Sequence, residues 1–79
     1  MKPKLQQDLQ AAIPALTDND FACHATDLYV VAHPGVREWL KANYKFYANI
    51  ASFTSQAGSN WNGAGKQCLD IPFAGNWPA

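Results

Sequence analysis

The side chains with the widest chemical repertoire in this chain are two cysteines, two histidines and six carboxylates. Cys23 and His24 are adjacent, which suggests thiol catalysis or metal binding. Their spacing does not support either. Neighbouring side chains on a helix diverge by about 100°, so a nucleophile and its base would not share a face. His33 and Cys68 could complete a four-ligand zinc set, yet no paired C-x2-C or H-x3-H spacing is present. A small thiol- or metal-dependent enzyme is therefore an alternative reading only, and no cofactor is expected. The carboxylates offer no catalytic pair by spacing. Asp18 and Asp20 suit a helix cap. Asp27 and Asp70 flank or sit in strands, where they could pair with Lys66 or cap a neighbouring helix.

Gly63-Ala64-Gly65-Lys66 resembles the end of a phosphate-binding loop but fails the pattern. The glycine required five positions before Gly65 is Asn60, and the required hydroxyl after the lysine is Gln67. The stretch from Gln56 to Lys66 still stands out, with three glycines and two asparagines between Ala57 and Gly65. Trp61 sits at its centre. A tryptophan there either folds back as a lid on the sheet or projects as an anchor for a partner. A loop longer than a tight hairpin requires is a common place for binding. Trp61, Asn60, Asn62 and Lys66 are accordingly the first candidate contact residues, and the fold is expected to survive loss of Trp61.

Arg37, Lys41 and Lys45 lie four apart and form a basic stripe on a predicted helix, with Tyr44 and Tyr47 nearby. A solvated helix face explains the stripe, with Glu38 offsetting Lys41. The stripe also suits an acidic protein or a nucleic-acid backbone, so Arg37, Lys41, Lys45 and Tyr44 are the second group of candidates. Three charges supply little nucleic-acid affinity at physiological salt.

These residues must be positioned by a small set of elements. Leu5, Leu9, Ala12 and Ile13 mark one face of a helix that Pro14 stops. Thr17 and Asp20 form a cap, flanked by Leu16 and Phe21 as a hydrophobic staple, and predict a short helix from Asp18 to about Ala25. Asp27 to Ala32 is β-branched and aromatic, and predicts a strand covered on part of both faces. Pro34 opens a helix to about Tyr44, with Val36, Trp39 and Leu40 on the apolar face. Phe46 to Gln56 predicts a strand with a bulge near Ala48 to Ala51. Lys66 to Phe73 predicts the last strand, antiparallel to its predecessor, and 74–79 is irregular. The expected fold is α+β: a small three-stranded, mainly antiparallel sheet with two or three helices on one face.

All 79 residues form one domain. Charged residues make up 15% of the chain and the net charge is zero, so general attraction to nucleic acid or anionic membranes is not expected. No apolar run reaches the roughly 18 residues of a membrane helix, and the start lacks the apolar segment of a signal peptide. A cytoplasmic setting follows as an expectation, and with it two unbridged cysteines.

Leu16-Thr17-Asp18-Asn19-Asp20-Phe21, His24-Ala25-Thr26-Asp27-Leu28-Tyr29-Val30 and Asp70-Ile71-Pro72-Phe73-Ala74 resemble small uncharacterised proteins of phages and prophages. The resemblance covers most of the chain through short patches, and the insert around Trp61 is longer than the turn expected there. It implies a mobile-element origin and a host-cell cytoplasm. It carries no assigned activity, but small phage proteins often bind host proteins, CRISPR effectors included. The expected function is a non-enzymatic protein-binding module, an inhibitor of a host or defence complex. The alternative is a single-stranded nucleic-acid binder using Arg37, Lys41, Lys45, Tyr44 and Trp61.

Overall fold

The computed structural model describes residues 3–24 and 26–72. Phe73 and the expected irregular end at 74–79 lie outside them. Helix α1 spans Lys4–Ala12, with Pro3 as its N-cap and the Ile13 N–H donating to the Leu9 carbonyl at its end. Strands β1 (Phe21–His24) and β2 (Asp27–Val31) follow, then helix α2 (Pro34–Asn43), β3 (Ala51–Thr54) and β4 (Gln67–Pro72). The fold is α+β with a four-stranded antiparallel sheet in the order β1-β2-β4-β3. Because β4 is antiparallel to both neighbours, β2 and β3 run parallel with β4 between them. Helix α2 connects them, which makes a split β-α-β unit.

The strand count is corrected here: the sheet has four strands where three were expected, while the two α-helices fall within the two or three expected. The Thr17–Asp20 cap forms as expected, with the Thr17 N–H donating to Asp20 Oδ2 at 2.8 Å. It closes a single 3-10 turn, Asp18–Asp20, and the chain then extends as β1. Phe21 pairs with Val30, and cross-strand pairing with β2 outweighs the local helix signal. The long strand expected over Phe46 to Gln56 is likewise shorter. Tyr47–Asn49 is a 3-10 turn, and β3 begins only at Ala51.

The core lies on one face of the sheet. Leu28 and Val30 of β2 pair with Ile71 and Leu69 of β4, so all four share a face. They pack with Leu5 and Leu9 of α1, Val36 and Leu40 of α2, and Leu16, Phe21 and Tyr44. The staple pair Leu16 and Phe21 is thus buried as expected. Trp39 is only half-buried and packs at the edge of this cluster, a lesser role than its place beside Leu40 suggests.

Cys23 and Cys68 are both free thiols. They stand on β1 and β4, with β2 between, and their partners on β2, Leu28 and Val31, are three residues apart. Strand spacing alone separates them by roughly 10 Å, too far for a disulfide.

Candidate functional site

The opposite face of the sheet carries no helix among the described residues. Strand alternation puts His24, Asp27, Tyr29, Val31, Phe53, Cys68 and Asp70 on it. Tyr29 stands at its centre. His24 stacks beside Tyr29, with ring centroids 5.5 Å apart and planes 12° apart. Phe53 tilts against the other side at 4.7 Å. The result is an aromatic platform running from one edge strand to the other.

The β3–β4 loop forms a wall over this platform. It is folded tightly on itself. The Gly65 N–H donates to the Ser55 carbonyl, the Ser55 N–H to the Lys66 carbonyl, and the Lys66 N–H to the Gly63 carbonyl. Gly65 has φ +74°, a conformation that glycine adopts at no steric cost. Asn62 fixes the loop to the other side of the molecule: its N–H donates to the Asn19 carbonyl at 2.8 Å, and its Nδ2 to Asp20 Oδ1 at 3.2 Å. The cap before β1 and the loop before β4 are thereby joined.

Trp61 is half-buried in this loop. Its Nε1–H donates to Ser55 Oγ at 3.1 Å, and its ring centroid lies 6.5 Å from that of Tyr29. Gly63 makes the fit possible, since a Cβ there would approach the indole to 2.5 Å and Cys68 Sγ to 2.8 Å. The lid and the anchor are therefore one residue: Trp61 packs toward the sheet and leaves part of its surface open. Together Trp61, Tyr29, His24, Phe53, Gln56 and Ser59 line a concavity of about 540 Å³.

The remaining sequence candidates scatter. Asn60 and Lys66 are exposed on the loop, and Asn62 is held as the clasp. Arg37 is half-buried beside β3 and donates to Ser52 Oγ at 3.4 Å. Ser52 pairs with Leu69, so this contact is on the helix-covered side. Lys41 is exposed on α2, 4.0 Å from Glu38. Lys45 lies beyond the helix end, with Nζ 5.8 Å from the Phe46 ring centroid. Tyr44 is corrected from contact residue to core residue: it is 4% exposed, and its hydroxyl donates to the Pro72 carbonyl. The basic stripe and Trp61 thus do not converge on one surface.

Asp27 and Asp70 are the residues that spacing did not bring together. They pair neither with Lys66 nor with a helix end. Asp70 lies opposite Tyr29, and Asp27 lies two residues before Tyr29 on the same face, so the two carboxyl groups are neighbours. Burial, first, and then Asp27 push the Asp70 carboxyl up to about 6, while His24 acts in the other direction. Thr26 Oγ1 donates to Asp27 Oδ1 at 3.0 Å. Asp70 Oδ1 is buried and accepts no hydrogen bond. Burial, then Asp70 and Asp27, also raise the Tyr29 hydroxyl. Two strand-borne carboxylates 43 positions apart on one register was a signal only strand pairing could reveal.

The Cys23–His24 reading does not assemble. Both lie on β1, where consecutive side chains point to opposite faces. His33 is the N-cap of α2, its Nδ1 accepting from the Gly35 N–H at 3.0 Å. Among the described residues, no group of three or more His, Cys, Asp or Glu is placed to hold a metal ion. No helix among them is long and apolar enough to cross a membrane. No family model, curated protein or solved structure matches the chain.

Proposed function

We propose that the protein is a non-enzymatic binding module that holds a partner protein on the open face of its sheet. The observation that carries this reading is the concavity of about 540 Å³ lined by Trp61, Tyr29, Phe53 and His24. Aromatic side chains around a partly desolvated recess are the usual anchors of protein interfaces. The likeness to phage and prophage proteins extends the proposal: the partner is a host protein, and binding inhibits a host or defence complex such as a CRISPR effector. The contact residues are then Trp61, Tyr29 and Phe53, with Asn60 and Lys66 at the rim. Affinity capture from bacterial lysate tests this with three baits: wild type, Phe53→Ser and Lys41→Ala. A partner retained by wild type and Lys41→Ala and lost from folded Phe53→Ser supports the open face. A partner lost only from Lys41→Ala moves the interface to the helices.

One observation favours a second reading, a single-stranded nucleic-acid binder. The row of His24, Tyr29 and Phe53 offers ring faces on which bases could stack. Asp27 and Asp70 share that face, and Arg37 lies on the other side. Phosphates would therefore meet repulsion where the bases stack. Oligothymidylate binding with a steep salt dependence would establish this second reading instead.

A further inference from the structure

We propose that the open face recognises a cationic, planar side chain of its partner, an arginine guanidinium, stacked on Tyr29 and held by the charge of the Asp27–Asp70 pair. This rests on the reading of the open face as the contact surface and names the chemistry it selects. Three independent features support it.

The first is shape. His24 and Tyr29 lie nearly parallel, at 12°, with centroids 5.5 Å apart, and form an offset stack beside the Trp61 wall. A guanidinium is planar, stacks on aromatic faces, and sheds its hydration more easily than an ammonium. The second is charge. Asp27 and Asp70 are the charged residues that strand alternation places on this face. Among the described residues, the cations found in ion pairs are Lys4, with Asp8, and Lys41, with Glu38; neither pairs with Asp27 or Asp70. The face is thus acidic, with His24 the basic side chain of its own chain beside the pair. The third is the unused acceptor. Asp70 Oδ1 is buried without a hydrogen bond, and such an acceptor costs stability until something compensates it. A cation on the platform compensates it through space even without direct contact, because attraction is strong where water is partly excluded.

The test uses the intact protein and three small probes observed by amide NMR: N-acetyl-arginine amide, N-acetyl-lysine amide and N-acetyl-citrulline amide. Citrulline keeps the planar head but carries no charge. The arginine probe is expected to give saturable shifts at Ala22, His24, Tyr29, Phe53 and the Trp61 indole. The lysine probe should be weaker, and the citrulline probe weaker by at least about tenfold, or 1.4 kcal/mol. Asp70→Asn, which preserves shape, should reduce the arginine response to the citrulline level, and Lys41→Ala, on α2, should leave it unchanged. Equal response to arginine and citrulline, shifts confined to α2, or an undiminished response in Asp70→Asn would overturn the proposal. The two proposals fail separately. If the open face binds protein by apolar contact alone, Phe53→Ser still loses its partner while the arginine probe shows no charge dependence. If the open face binds nothing, both responses are absent.

Discussion

The two faces of the sheet are built on opposite principles. The helix-covered face is closed and apolar: Leu28, Val30 and Ile71 are fully buried there against Leu5, Leu9, Val36 and Leu40. The other face places aromatic rings and two carboxyl groups side by side, and covers them with one loop. The first arrangement gains stability from every residue in it. The second keeps an acceptor unsatisfied and an indole half-open. In a domain of 79 residues, where every buried side chain matters, a face that carries such costs is the better candidate for function.

The strongest challenge to this division is truncation on each side. Leu28→Ala should remove roughly 2–5 kcal/mol, a large part of the stability of a small domain. Urea denaturation measures it. A loss under about 1 kcal/mol would mean that the helix-covered face is not the packed core.

Asp70→Asn should act in the opposite direction. The folded-state value for Asp70 is raised from 3.8 to about 6, so the native state holds a proton that the unfolded state releases. Stability from this group is therefore greatest at acid pH and declines as pH rises from about 4 through about 6. At neutral pH the wild type bears a penalty of up to roughly 3 kcal/mol, less whatever solvent screens. The Asn variant should melt higher at pH 7 and lose the gain that wild type shows on mild acidification. A lower midpoint at pH 7 would show that the carboxylate contributes favourably and that the face is not strained by charge.

Gly63→Ala probes the lid. Its new methyl would collide with the Trp61 ring and Cys68 Sγ, so the indole must shift. A cost of about 1–3 kcal/mol is expected, with a change in Trp fluorescence. An unchanged spectrum would mean that Trp61 does not rest there. The same geometry revises the expectation that Trp61 is dispensable: Trp61→Ala should weaken partner binding and also lower the midpoint modestly, because the ring is half-packed.

The smallest effect separates the thiols. Cys23 is exposed, whereas Cys68 is buried and burial raises its thiol above the ordinary range. Native alkylation should modify Cys23 quickly and Cys68 only as the loop opens. Equal rates would show the loop wall to be open.

Local chemistry made several elements legible in the sequence. Pro34, with Val36 and Leu40 at helical spacing, announced α2, and the β-branched and aromatic run from Asp27 to Ala32 announced β2. The Thr17–Asp20 cap was also readable, because a cap needs only neighbours along the chain. What followed the cap was not. Phe21–His24 takes a strand's conformation because β2 lies beside it, and no residue within the segment records that neighbour. The site divides the same way. Composition and turn chemistry singled out the loop and Trp61, but tertiary structure decided that Asn62 would clasp Asp20, that Tyr44 would turn inward, and that Arg37 would lie across the sheet from Trp61. It alone brought Asp70 to Asp27 and Tyr29. Propensity and capping act over a few residues, whereas antiparallel pairing joins positions tens of residues apart, and on this face that pairing set the chemistry.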